Sequence, residues 1–323
     1  KADQYVRLTR FDDYVSRSDQ PNYHTGAKVA YLDEIMYWIV PEATTRLAGL
    51  ISGDYDIVTQ ISDTEYDRLL ATDGVDPVKK GPAFNLYLMF NHKKGITSDI
   101  NIRRAVQAAI NADELMAAGI PNPNFRVLDP SLYPPESAYY NFAKGELYNQ
   151  NDPEKAQEYL EKAGYNGEVI TYQAIATVGQ QVRVGTALIE QLKNAGMNAE
   201  LVIYDLQTWV AKRRDGDALM MYHSGGNWID PSLYEPEFTG TFPSEETAFS
   251  DPEVDEVFKL LNQETDKQKR IKHGRTLQSL MLEKVATYSF GHWYSMMAMS
   301  SNVADPEGNL SLGNLTLNNV GLK

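Results

Sequence analysis

Between Asp152 and His223 the sequence switches repeatedly between helix period and strand period, and this alternation leaves few folds open. Asp152-Pro153 starts a helix whose Ala156, Tyr159, Leu160 and Ala163 share one face, and Gly164 ends it. Glu168–Ala174 reads as a strand, Gln180–Asn194 as a helix with Val184, Leu188 and Leu192 inward, and Ala199–Tyr204 as a strand. Asp205 caps a helix over Gln207–Arg214, and Ala218–His223 is a short apolar strand. Strands separated by helices long enough to cross back over a sheet lie side by side and parallel. An α/β domain with a largely parallel sheet is therefore expected.

The flanking segments carry more strand and shorter helices. Gln4–Phe11 alternates as a strand does, with no preceding partner in view. Glu34–Val40 is an apolar, aromatic strand, and Pro41-Glu42 opens a helix over Ala43–Ser52 that Gly53 closes. Tyr55–Gln60, Val75–Lys79 and Phe84–Phe90 read as strands, and Glu65–Ala71 as a helix capped by Asp63 or Thr64. Asp99–Ala118 reads as one long helix, with Ile102, Ala105, Val106, Ala109 and Ile110 as its core stripe. Proline-rich 121–135 reads as a loop, Asp251–Gln263 and Lys267–Glu283 as helices, and Ala286–Gly291 as a strand. The basic run Lys267–Lys272 is expected to be a solvated helix face.

Composition removes several classes of function. With 30 Lys and Arg against 44 Asp and Glu, the net charge is −14, which opposes nucleic-acid backbones and anionic membrane surfaces alike. The chain has 323 residues and no cysteine, so it holds no disulfide, thiolate metal site or thiol nucleophile. No apolar run reaches the roughly 20 residues of a spanning helix. His24, His92, His223, His273 and His292 have no partner at metal-ligand spacing, and neither a phosphate loop nor a nucleophile elbow is present. No metal and no cofactor are expected.

The segment Tyr222–Phe242 concentrates rings and hydrogen-bonding groups just after the strand Ala218–His223. It lies at that strand's carboxyl end, where open α/β sheets bind ligands. Flat rings for contact area and a few polar groups for orientation make a recognition composition. Gly225-Gly226 could offer backbone amides to a ligand, although a plain strand-to-loop turn is the better reading of them. A catalytic alternative is a glycosidase using Asp230 with Glu235 or Glu237, since such carboxylates need only spatial proximity.

Several short motifs, in order along the chain, resemble one family. Arg10-Phe11-Asp12-Asp13-Tyr14 is similar to its R-x-x-x-Y-W strand end, with Val15 where Trp is common. The run from Ile39-Val40-Pro41-Glu42 through Arg46 to Gly53-Asp54-Tyr55-Asp56-Ile57 is similar to its P-D-x-x-x-R-x-x-A-L-x-x-G-E-x-D-I block. Leu88-Met89-Phe90-Asn91 matches x-x-F-N, and Ile102-Arg103-Arg104-Ala105 with Ala109-Ile110-Asn111 matches V-R-x-A-x-x-x-A-I-D. Asp152-Pro153-Glu154-Lys155-Ala156 with Ala163-Gly164-Tyr165, and Asp251-Pro252-Glu253-Val254-Asp255, complete the set. The chain thus resembles the extracytoplasmic solute-binding proteins of bacterial ABC importers, the dipeptide/oligopeptide-binding family (family 5).

The resemblance implies an α/β, bilobal fold like the type II periplasmic binding proteins of the large peptide-binding subclass, with two crossovers joining the lobes. Lobe I would be 1–92 plus 296–323 and truncated, with its start before Lys1. Lobe II would be 93–288, and 289–295 the second hinge crossover; the first lies near Tyr87–His92. The implied role is capture of a peptide or similar small solute in an interlobe cleft and delivery to a membrane permease, with no catalysis. The location implied is the periplasm, or the cell exterior with a membrane anchor at the missing N-terminus, and the protein is expected to be a monomer. Ligand contacts are expected from Asn227, Trp228 and Asp230, then from Tyr222 and His223 at the strand end; Tyr87 and Trp293, with Phe84 and His292, border the crossovers and either face the cleft or, the stronger alternative, pack the hinge. Peptide-binding members read D-Y-x-D-P after the lobe II strand, and their first Asp pairs with the peptide's amino group. Aligning D-P on Asp230-Pro231 puts Asn227 in that place, which removes the opposite charge. An oligosaccharide, a modified peptide, an opine-like solute or a nickel complex stays open beside a peptide.

Overall fold

The structure is a computed structural model that describes residues 4–21, 25–215, 218–223, 230–234, 249–305 and 317–323; for 82–84, 213–215, 218–223 and 234 only the backbone is described. The chain divides into two units, Lys1–Ala83 with Tyr294–Lys323, and Phe84–Trp293.

In the first unit, β1 (Tyr5–Thr9) pairs antiparallel with β2 (Glu34–Trp38), Tyr5 opposite Trp38. The alternating opening segment therefore finds its partner further along the same chain. Helix α1 (Ala43–Ser52) turns Leu47 and Leu50 inward, and Gly53 ends it in a left-handed conformation, donating to the carbonyls of Gly49 and Leu50. Arg46 binds the carbonyls of Val40, Pro41 and Gln60, tying the entry of α1 to the end of β3 (Ile57–Thr59). Helix α2 (Tyr66–Leu70) leads into β4 (Val75–Met89). Two strands are expected from the sequence here. The structure has one of 15 residues, because Gly81 takes a φ of 114° without ending it.

In the second unit the expected single helix over Asp99–Ala118 is two, α3 (Ile100–Ala109) and α4 (Ala112–Gly119). Ile110 and Asn111 are extended, and the Asn111 side chain accepts the Glu114 N–H as an N-cap. Gln191 holds the break open by accepting from the Asn111 amide at 3.0 Å and donating to its carbonyl at 3.2 Å. The proline-rich loop contains a two-residue strand, β5 (Arg126–Val127). Next come α5 (Pro153–Ala163), β6 (Ile170–Ile175), α6 (Gly179–Asn194), β7 (Ala199–Tyr204), α7 (Leu206–Asp215) and β8 (Ala218–His223). Helices α8 (Pro252–Gln263) and α9 (Lys267–Glu283) precede β9 (Thr287–Ser300), far longer than the expected Ala286–Gly291. The first unit ends with β10 (Val303–Ala304) antiparallel to β11 (Gly321–Leu322).

Five strands run in the order β7-β6-β8-β4-β9. β6 is parallel to both β7 and β8, as expected; β8 then pairs antiparallel with β4, so the sheet is mixed rather than largely parallel. From β6 the chain crosses to β7 on one side and then to β8 on the other. In open α/β sheets, a reversal of this kind at the strands' carboxyl ends is where ligands bind. The core of this unit joins Leu86 and Leu88 of β4 and the Phe90 that follows it to Ile102 and Val106 of α3, Val184, Leu188 and Leu192 of α6, and Tyr288 and Phe290 of β9. A second cluster packs α8 against α9 through Val254, Phe258, Leu261, Leu277 and Met281. Strands β4 and β9 each continue into the first unit, where β9 pairs with β3 and Val78 packs against the cluster of Met297, Val303 and Val320.

Candidate ligand site

The carboxyl end of β8 is where the sequence places a ligand, and three adjacent strands carry the residues expected near it. Tyr222 lies opposite Tyr87 and His223 opposite Leu86 in the β8–β4 ladder. β9, next to β4, carries His292 and Trp293, which pair with Val127 and Arg126 of β5. Residues more than a hundred positions apart are thereby brought to neighbouring strands. Tyr87 is wholly buried, and Trp293 is half-buried against the main core. The side chains of Phe84, Tyr222 and His223, and all of Asn227, Trp228, Glu235 and Glu237, lie outside the described residues.

Asp230 is described. One carboxylate oxygen accepts from Arg270 Nη2 at 2.6 Å and from the amide and hydroxyl of Ser232 at 3.0 and 2.7 Å; the other accepts from Tyr139 at 3.2 Å. Burial works to raise its pKa, but the bonds from Arg270 and Ser232 outweigh this and hold it below the usual carboxylate range. An ionised carboxylate bound by donors anchors the turn Pro231–Tyr234; a glycosidase acid needs the reverse, a raised pKa. Arg270 also donates to the carbonyls of Leu261 and Glu264. The expected solvated face at Lys267–Lys272 is therefore wrong at Arg270, which turns inward because a half-buried carboxylate and two helix-end carbonyls wait for it.

Beneath the strands lies a polar band that no sequence motif announces. Asn85 of β4 donates to the carbonyl of Ser131 at 2.9 Å, and Ser289 of β9 bridges Asn85 Oδ1 and the carbonyl of Asp129 at 3.0 Å each. The Asp129 carboxylate accepts from the Ser131 amide at 2.7 Å and from Tyr140 at 2.8 Å. Burial pushes Asp129 up, and burial with the Asp129 bond pushes Tyr140 up to about 12. Gln278 of α9 holds Ser131, Leu132 and Tyr139. His292 is fully buried beside this band, and burial pulls its pKa down to about 4, so it is neutral at neutral pH. Each of these residues looks ordinary alone, and only the folded loop 128–140 brings them together.

Among the described residues no group of three His, Asp or Glu side chains could hold a metal ion, and no helix is long and apolar enough to cross a membrane.

Comparison with known proteins agrees. The chain is 25% identical over 227 residues to a probable peptide ABC transporter periplasmic-binding protein, y4tO, of Sinorhizobium fredii, covering 68% of this chain and 41% of that relative. Among solved structures it is similar to the binding protein AgaA of A. tumefacien R10 in complex with agropinic acid, at a TM-score of 0.82 and 20% identity, covering 100% of this chain and 65% of that one. It is also similar to a dipeptide-binding protein from Pseudoalteromonas sp. SM9913 in complex with Met-Leu, at a TM-score of 0.81 and 21% identity over 99% and 62% of the two chains. The fold is that of the type II periplasmic binding proteins. This chain spans about half or less of the length of the curated relatives it matches. The family model for bacterial extracellular solute-binding proteins, family 5 (middle part) matches residues 1–245, and the chain belongs to that family.

Proposed function

We propose that the full protein is the solute-capturing component of an ABC importer, working outside the cytoplasm as a monomer and delivering a peptide or peptide-like solute to a membrane permease without altering it. The observation that carries this reading is the family match over residues 1–245. The ring-rich strand end at a switch point and the commitment of Asp230 to Arg270 and Ser232 support binding over catalysis. We take 1–92 with 296–323 as lobe I, 93–288 as lobe II and 289–295 as the second hinge. Two separate strand passages, β4 and β9, suit a hinge that traps solute by closure. Asn227, Trp228, Tyr222, His223, Tyr87 and Trp293 are the proposed ligand neighbours. Asn227 favours a solute without a free ammonium at that position.

Thermal-shift titration of the full-length protein against di- and tetrapeptides, their N-acetylated forms, oligosaccharides and nickel chelates tests this. A peptide class that raises Tm and is recovered intact is the expected result, since binding to the native state alone stabilises it. Consumption of any of these compounds, with loss of that turnover in Asp230→Asn, overturns it.

A further inference from the structure

Along α9 the surface changes sign. Five of the chain's 30 Lys and Arg stand in Lys267–Arg275, a stretch without Asp or Glu, in a protein whose net charge is −14. Arg270 turns inward to Asp230, and Lys269 lies 3.7 Å from Glu264. Lys267, Lys272 and Arg275 are exposed, and no ion pair joins them to a carboxylate among the described residues. The acids at the end of α9 and the start of α8 are engaged elsewhere, Glu283 with Lys144 and both Asp251 and Glu253 with Lys284.

Helix stability does not favour this arrangement. Cations in a first turn face the positive end of the helix dipole, and α9 starts with Lys267 and Lys269 and no acid. Lys269, Lys272 and Arg275 then follow at intervals of three, so like charges stack along one side. Water alone screens such a row; a partner of opposite charge relieves it.

The same face carries a groove of about 270 Å³ between α9 and the loop at Asn141. Gln268, half-buried Ile271, Lys272, Arg275 and Ser279 line it from the helix. Asn141 donates to the Arg275 carbonyl at 2.7 Å and to the Ser279 hydroxyl at 2.8 Å, which fixes the opposite wall. Gln268, Lys272, Arg275 and Ser279 repeat at four, three and four, which makes one row about 16 Å long with neighbouring Cβ atoms about 5–6 Å apart. Two carboxylates one turn apart on a helix have the same spacing. A groove with an apolar side chain between its cations admits a peptide segment and not a flat lipid surface.

We propose that this row docks an acidic segment of the membrane permease, two Asp or Glu side chains one helical turn apart set against Lys272 and Arg275. This rests on the transport reading above and adds where the permease takes hold. Exposed ion pairs are weak and screened by salt, which suits a carrier that leaves once it has delivered.

The test uses the full-length, solute-loaded protein and the importer whose ATPase the wild type stimulates, reconstituted in phosphatidylcholine proteoliposomes. Lys272→Glu with Arg275→Glu is expected to raise the half-saturating concentration about 10–100-fold, leaving solute affinity, Tm and the maximal ATPase rate as they are. Lys272→Arg with Arg275→Lys should behave as wild type. Lys162→Glu with Lys193→Glu, the same change of net charge at exposed positions of α5 and α6, should change little. Wild type should also lose affinity between about 50 and 300 mM salt more steeply than the charge-reversed protein. Stimulation by the charge-reversed protein at wild-type concentrations, or a loss no greater than in the α5 and α6 control, overturns the proposal. If that protein instead loses only its flotation with phosphatidylglycerol vesicles, an anionic lipid surface takes this face and the permease does not. If wild type stimulates no importer, the transport reading itself fails and the proposal falls with it.

Discussion

Arg270 shows how much one side chain's worth depends on what it meets. Its guanidinium spans Asp230, Leu261 and Glu264, joining the start of the turn Pro231–Tyr234 to the loop between α8 and α9. Asp230 gains further donors from Ser232 and Tyr139, and Gly274 lets Pro231 and Tyr139 approach α9 closely. Arg270→Met should lower stability by about 1–3 kcal/mol, since it leaves a half-buried carboxylate and two carbonyls short of donors. Lys269→Met, at a side chain 68% exposed with a long contact to Glu264, should change the denaturation midpoint little. Equal losses in the two variants would refute the anchoring role. Both residues stand in one basic run, so sequence could not separate them; only the packing of α9 against Asp230 does.

At the level of elements, punctuation explains most of what is legible. Asp152, Asp205 and Asp251 cap α5, α7 and α8 where their spacing says they should, and Gly53 and Gly164 end α1 and α5 in the left-handed region. The error over Asp99–Ala118 has the same physics: Asn111 is a cap residue inside an apolar stripe, and Gln191 from a distant helix decides that it acts as one. The long β9 carries a comparable tertiary decision at Gly291. Its φ is 145°, and a Cβ there would run into the carbonyl of Val127 just where β5 pairs with His292. Gly291→Ala should cost about 2–4 kcal/mol, by backbone strain plus loss of close strand approach. Urea unfolding checks this, and a change below about 0.5 kcal/mol would contradict the contact.

For the molecule as a whole, two buried histidines set the response to acid. His92 meets the carbonyl of Ala286 at 2.9 Å, and burial, aided by the charge of Arg103, brings its pKa down to about 3; burial brings His292 to about 4. The unfolded chain binds those protons near pH 6.5. Below that pH the unfolded state holds protons that the folded state refuses, so stability is fully present above about 6.5 and falls toward pH 4, by about 1.4 kcal/mol per pH unit for each group. Asp129, raised by burial, works in the opposite sense, and Asp230, held low by Arg270 and Ser232, loses its contribution only as pH falls through the carboxylate range. The urea midpoint should therefore drop between pH 7.5 and 5, with a shallower drop in His292→Gln. An unchanged midpoint would show these rings to be solvated.

Local rules acting over a few residues were enough to determine the α/β class, the helix caps, the parallel strands β6, β7 and β8, and the family likeness that motif order carries. Capping, periodicity and turn chemistry are short-range, so they can be read in one dimension. Tertiary structure alone decided that β4 and β9 run through both units, that Tyr222 lies opposite Tyr87 in a ladder, that Arg270 turns inward to Asp230, and that Lys80 is buried. Those outcomes depend on which distant surfaces meet, and burial, which makes a charge costly or a polar group demanding, is a property of the meeting and not of the residue.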